Sequence, residues 1–208
     1  MNRRFLISLL LLWSLGPLLW QVYTSFCSDQ ALIQPFISHD HRWTLTHYQN
    51  VLNANPPFWR YLVNSFIVGV SSTLLCLVLA LPAAYALNRI PRRLSILSRL
   101  ALVGAALFPY VLLFLALLEL AREFNLGNQL LALSLPYAAL SQPLAILLLN
   151  NAFNDLPPEL EDAAKLEGLS LFQRFRWILI PLISPATAST AILVFLFSWN
   201  EYPIALTW

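Results

Sequence analysis

Residues 155–186 read DLPPELEDAAKLEGLSLFQRFRWILIPLISPA, the one polar, charged, helix-forming stretch set between long apolar runs. Asn154 or Asp155 can cap a helix that opens at the Pro157–Pro158 pair, because proline at a first helical position gives up no needed N–H. Glu159, Glu161 and Asp162 then crowd the first turn, where negative charge suits the helix dipole. Gly168 ends this helix, and Ser170 can cap a second one running through Phe172, Phe175 and Ile178. The stretch predicts a short helix, a glycine turn and a second helix that leads into a membrane span. Two alanines and a glycine give the first helix a slim surface for another protein to approach, with flanking charges that set register more than affinity.

The spacing carries a family resemblance. Asp162-Ala163-Ala164-Lys165-Leu166-Glu167-Gly168, followed by Ile178-Leu179-Ile180-Pro181, resembles the EAA loop of bacterial ABC importer membrane subunits. That pattern is E-A-A-x-x-D-G, a spacer, then I-x-L-P. The two acidic positions are exchanged here, which keeps the charge and changes reach by a methylene. The resemblance implies that the first helix is a coupling helix docking into a cleft on a separate ATPase subunit. Its coupling residues are then Glu161, Asp162, Ala163, Ala164, Leu166, Glu167 and Gly168.

Composition agrees with a membrane setting. Of 208 residues, 59% are hydrophobic and 11% charged, against about 25% charged in soluble domains. The chain is therefore predicted to be all-α, a polytopic transmembrane helical bundle. Five spans are expected, over about 5–22, 66–87, 100–120, 130–153 and 178–198. Arg3 and Arg4 precede the first. Its length, its Trp13, Pro17 and Trp20, and its lack of a small-x-small cleavage site favour an uncleaved span over a signal peptide. Cys27 falls outside and Cys76 within a span, so a disulfide between them is not expected.

Residues 23–62 read as an extracytoplasmic loop. His39-Asp40-His41, with His47 nearby, is its one metal-like cluster; a zinc site needs more ligands at defined geometry, so a solvated loop is the reading taken. Trp43-Thr44-Leu45 with Tyr48, and later Asn64-Ser65, resemble the segment before the second span of carbohydrate-type importer permeases. Ala83-Ala84-Tyr85-Ala86-Leu87 with Arg89 is similar to the close of that family's second span. Glu119 and Arg122, one turn apart near the end of the third span, read as an interfacial pair or, alternatively, as a proton relay. Pro136 and Pro143 mark bends in the fourth span. The fifth ends in Trp199-Asn200-Glu201-Tyr202, which resembles the W-N-E-(F/Y) motif of sugar-type permeases. Two readings of this motif stand: gating and substrate passage, or a helix-end cap with an interfacial tryptophan.

Five spans with the N-terminus inside place Arg3, Arg4, Arg89, Arg92, Arg93, Arg99, Lys165, Arg174 and Arg176 on the cytoplasmic side, with the loop over 155–177. Arg42, Arg60 and Arg122 lie outside. Nine against three, out of twelve, obeys the positive-inside rule. The family usually has one more span, so a sixth is expected to be missing from 1–208.

The resemblance implies the methionine-importer-like permease fold, in a bacterial inner membrane. None of the five glycines is followed by lysine, so the chain has no phosphate-cradling G-x-x-x-x-G-K-[ST]. The chain is thus expected to be no enzyme and to bind no cofactor, with ATP and Mg on partner ATPase subunits. The partners implied are a second homologous permease, two ATPase chains, an extracytoplasmic solute-binding protein and the lipid bilayer, with no nucleic acid. The sugar-type motifs point to a sugar, an oligosaccharide or a sugar-derived compatible solute. The rival class is an ion-driven secondary transporter, which would need charge deep in its spans and usually an inverted repeat.

Overall fold

Proline and small residues decide where the apolar runs of this chain bend and how closely they pack. The computed structural model describes residues 3–33, 43–127 and 129–208, and it is all-α. In chain order the helices are α1 (Arg3–Ser25), α2 (Asp29–Ile33), α3 (Thr46–Leu52), α4 (Phe58–Leu87), α5 (Arg92–Leu107) and α6 (Tyr110–Glu123). There follow α7 (Ser134–Asn154), α8 (Pro158–Leu166), α9 (Leu171–Arg174), a π-helical turn (Phe175–Leu179), α10 (Ile180–Leu182), α11 (Ser184–Asn200) and α12 (Pro203–Thr207). The chain divides into two compact units, Met1–Leu62 and Val63–Trp208.

In the first unit, much of the expected loop over 23–62 is helical: α1 continues to Ser25, α2 and α3 lie within it, and α4 opens at Phe58. The segment from Trp43 folds back on the end of α1. Thr44 N donates to Phe26 O at 2.9 Å, and Trp43 meets Tyr23 edge-on with centroids 5.5 Å apart. His47 Nε2 lies 2.9 Å from Cys27 O, and the hydroxyls of Ser25 and Tyr48 are 2.6 Å apart. Cys27 and Cys76 are both buried and free. His39-Asp40-His41 lies outside the described residues, and among those described no group of three His, Cys, Asp or Glu gathers as a metal site.

In the second unit α4 buries a stripe of mostly small residues: Val68, Gly69, Ser72, Thr73, Cys76, Ala80 and Ala84. Their spacing near four puts them on one face, and small side chains let neighbouring helices approach. Ala138, Ala145 and Leu149 of α7 and Val194 of α11 fill the other side of this core. Ser72 and Thr73 turn their hydroxyls back to Gly69 O, at 3.0 and 2.7 Å, so neither enters the apolar seam unpaired.

Two expected spans are bent rather than straight. Over 100–120 the chain breaks at Phe108-Pro109, and the helices Arg92–Leu107 and Leu112–Glu123 stand 89° apart. Proline forces the preceding residue out of the helical region, and Phe108 accordingly takes φ −69°, ψ 136°. Over 178–198 the chain breaks at Ile183, with Leu171–Leu182 and Ser184–Asn200 at 77°. Pro185 in the first turn of α11 has no N–H with which to continue the earlier helix. The fourth expected span, 130–153, begins as a helix only at Ser134. Among the described residues one helix, α4, is by itself long and apolar enough to cross a membrane, or up to three spans if each bent pair counts as one, against the five expected. α7 is too polar to be counted by composition, because it carries Ser141, Gln142, Asn150 and Asn151, and it runs through the middle of the unit with nine buried residues.

At Gly69 the Phe195 ring of α11 sits directly against α4. A Cβ there would lie 2.7 Å from Phe195 Cε2, and that ring is itself stacked on Trp199 at 5.5 Å and set edge-on to Phe66 at 6.1 Å. Gly69→Ala should therefore cost about 1–3 kcal/mol by overpacking, read as a lower melting temperature in detergent. The same change on a Phe195→Leu background should cost little.

Candidate functional site

The loop between α7 and α11 is built by local rules, with one departure. α7 runs on to Asn154 with Asp155 as its C-cap, so these two residues end one helix and do not cap the next. Asn154 Nδ2 reaches back to Asn150 Oδ1 at 3.4 Å. Pro157 takes the N-cap position of α8 in the extended conformation that the following proline imposes, with ψ 128°. At the other end Gly168 adopts φ +80°. Its N–H donates to Lys165 O at 3.0 Å and that of Leu169 to Ala164 O at 3.1 Å, the paired bonds of a Schellman turn. Ser170 then makes a capping box with Gln173: Ser170 Oγ accepts from Gln173 N at 3.3 Å, and Gln173 Oε1 accepts from Ser170 N at 2.8 Å.

α8 has two faces. Glu161 and Ala164 are buried, whereas Glu159, Leu160, Asp162, Ala163 and Leu166 are exposed, Leu166 to 91%. The residues expected to act together therefore separate: Asp162, Ala163, Leu166, Glu167 and Gly168 face outward, and Glu161 and Ala164 face the protein. Asp162 Oδ1 accepts from Lys165 Nζ at 2.8 Å, a hydrogen bond that, with the lysine charge, holds the Asp162 carboxyl below the usual carboxylate range.

Glu161 is the centre of the inner face. Its Oε1 accepts from Tyr85 Oη at 2.8 Å and from Arg174 Nη1 at 3.1 Å, and Lys165 Nζ lies at 3.9 Å. Its other oxygen pairs with Arg89. Tyr85 is itself clamped: its ring meets Phe153 at 5.7 Å and Phe175 at 5.5 Å, and the Arg89 guanidinium sits 4.6 Å over it. One carboxylate thus joins the end of α4, the middle of α8 and the end of α9. A buried charge is tolerated only when paired and hydrogen-bonded, and here both oxygens are. Sequence reasoning placed Glu161 on α8 but missed its inward turn. The available signal was Tyr85 in the last turn of α4 and Arg89 two residues past its end, a phenol and a cation where that helix closes beside this loop.

A second polar knot fixes the same end of α4. Asn150, 1% exposed, donates to Ala84 O at 3.0 Å and to Asn88 Oδ1 at 2.8 Å, and Arg99 Nη2 reaches Asn88 Oδ1 at 3.3 Å. Neither Asn88 nor Asn150 was singled out by sequence as a packing residue. At the far end of α11 the four motif residues diverge. Trp199 stacks on Phe195, Asn200 Nδ2 donates to Leu196 O at 2.8 Å, and Tyr202 is exposed. Glu201 Oε2 accepts from Tyr137 Oη at 3.1 Å and from Ile204 N at 2.9 Å, tying the start of α12 to α7. Asn200 and Glu201 also line a cleft of about 350 Å³ with Tyr110, Leu193, Leu196 and Phe197. Glu119 pairs with Arg122 at 3.2 Å, both well exposed.

Proline-broken apolar helices are thus joined through a polar helix whose outer face is exposed. Residues 76–207 match the family of binding-protein-dependent transport system inner membrane components, and the chain belongs to that family. It is 33% identical to the sulfoquinovosyl glycerol transport system permease protein SmoH of Agrobacterium fabrum, over 96% of this chain and 70% of the relative. The trehalose/maltose transport system permease protein MalG of Thermococcus litoralis is 33% identical, over 92% and 69%. The trehalose transport system permease protein SugB of Mycobacterium tuberculosis is 34% identical, over 94% and 70%. The chain is accordingly a permease subunit of an ABC import system, with the methionine-importer-like fold, and a transport component rather than an enzyme.

Removing Glu161 should leave Arg174, 13% exposed, without its carboxylate. Glu161→Ala is expected to lower the unfolding free energy of the purified permease by about 3–5 kcal/mol. Asp162→Ala, at an exposed pair, should stay within about 1 kcal/mol. Chemical or thermal melts of the two variants side by side check the contrast.

Proposed function

We propose that this permease imports a sugar, an oligosaccharide or a sugar-derived solute, and that α8 is the helix through which it engages an ATPase subunit. The observation that carries the second part is the outward face of α8, where Ala163 and Leu166 are exposed between Asp162 and Glu167. A small residue beside a projecting leucine suits insertion into a cleft on another protein. The acidic flanks would set the register of that contact. The sugar class is supported by the relatives, whose names give sulfoquinovosyl glycerol, trehalose and maltose as cargo. A glycosidic solute is what these have in common.

In the assembly we infer, this chain pairs with a second, homologous permease, two ATPase chains carry ATP and Mg, and a solute-binding protein delivers cargo from outside. The N-terminus and α8 lie on the cytoplasmic side, in keeping with the clustering of arginine near α8. ATP binding closes the ATPase pair, α8 follows its cleft, and the spans turn the pathway outward. Such coupling requires that α8 fit the two ATPase states differently. Trp199, Asn200, Glu201 and Tyr202 are assigned to the outer part of the pathway, with Asn200 and Glu201 on the cleft beside Tyr110 and Phe197. An ion-driven mechanism would call for a carboxylate deep in a span, a role for which the exposed, paired Glu119 is poorly suited.

Ala163→Asp should leave membrane insertion intact and abolish recovery of an ATPase subunit with the tagged permease, together with uptake. Uptake of labelled trehalose or maltose at the unmodified rate by a well-expressed Ala163→Asp variant would refute the docking assignment.

A further inference from the structure

We infer that Glu161 is a positioning residue, a latch that makes α8 and the end of α4 one mechanical body, so that movement of α8 is delivered to a membrane-spanning helix. The inference rests on the reading of α8 as the docking helix and adds the route by which its movement leaves the loop.

α8 is a short helix held between two backbone joints. The helix has nine residues and is flanked by the Leu156-Pro157 turn on one side and the Gly168 turn on the other. Helices this short are marginal alone, and a left-handed glycine is a point about which the chain can swing. Held by its two backbone joints alone, α8 would rotate under load and pass little to the spans. The Glu161 carboxylate removes that freedom. It lies on the face of α8 opposite the exposed Ala163, and it binds the end of α4 through Tyr85 and through Arg89 just past it, and α9 through Arg174. Arg89 and Tyr85 straddle Asn88, which is tied to Asn150 of α7 and Arg99 of α5. A displacement of α8 therefore arrives at one turn of α4 from which α5 and α7 are also held. Two discrete, well-packed knots in series transmit displacement where a flexible loop would absorb it.

Glu161 thus does not belong to the surface offered to the ATPase. Changing it should separate docking from coupling, which changes on the outer face cannot do.

The test uses the assembled complex in proteoliposomes, with Glu161→Gln, Arg89→Gln and the double variant compared with Ala163→Asp. Two quantities are read: the ATPase subunit recovered with the permease, and ATP hydrolysed per solute transported. Glu161→Gln should retain the ATPase subunit and raise ATP consumed per solute by at least about five-fold, the lower end of ordinary allosteric couplings. Arg89→Gln should do the same, and the double variant should be no worse than the stronger single one, because both cut one latch. Loss of the ATPase subunit in Glu161→Gln, or an unchanged ratio, overturns the latch. Recovery of the ATPase subunit with Ala163→Asp instead overturns the docking reading and leaves the ratio in Glu161→Gln to speak for itself. Should Glu161→Gln fail to assemble, Tyr85→Phe decides: it removes one donor and keeps the ring, and an unchanged ratio in that variant rejects the proposal.

Discussion

A carboxylate taken out of water must find its partners inside the protein, and Glu161 finds them on two elements besides its own, the end of α4 and α9. The desolvation of an ionised group costs several kcal/mol unless close cations and hydrogen-bond donors offset it. Arg89, Arg174 and Tyr85 can do so together only if the end of α4, α8 and α9 hold one arrangement. That requirement fixes the loop in place more strictly than apolar packing would, because apolar contacts tolerate small slides and a shared carboxylate does not. The aromatic box of Tyr85, Phe153 and Phe175 then walls one side of the knot, where hydrogen bonds sheltered from water are worth more.

The same logic extends along the bundle. Helices in a bilayer gain little from burying apolar side chains against one another, since lipid is equally apolar, so close backbone approach and polar pairs specify the packing. α4 supplies a stripe of small buried side chains from Gly69 to Ala84, and polar pairs with Tyr85, Asn88 and Arg89 at its end. α7 mirrors this with Ala138 and Ala145 in its middle and Asn150 near its end. The polar pairs sit near one end of both helices, where they tie the spans to the loop and leave the apolar middle free of charge.

What the sequence made legible was local. Proline at the start of α8, glycine in the turn after it and serine before α9 each act through their own backbone, and each stands where its chemistry put it, with Gly168 left-handed and Ser170 in a capping box. Bends were harder to see. Hydropathy is alike on both sides of Pro109 and of Pro185, so a window that sums it reports one span where the backbone turns through 89° or 77°. The inward turn of Glu161 could not be read from α8 itself. Glu159, Glu161 and Asp162 look alike as acids in a first turn, and their fates differ only because Tyr85 and Arg89, over seventy residues away, stand beside one of them. Asn154 and Asp155 were assigned to the wrong helix for a related reason: a capping residue between two helices can serve either, and α7 extends far enough to claim both.

This division between local and distant signals also separates what defines α8 from what places it. Its caps and turns define α8 as a unit but leave its orientation open, since a glycine and a proline joint permit many. Orientation is supplied by Arg174 of α9 together with, from outside the loop, the Tyr85 phenol of α4 and the Arg89 guanidinium just past its end. A helix whose existence is local and whose placement is borrowed can be re-seated by a partner without unfolding, and the placement moves with whatever holds it. In this chain that is the last turn of α4, where the Glu161 latch meets the asparagine knot of α5 and α7.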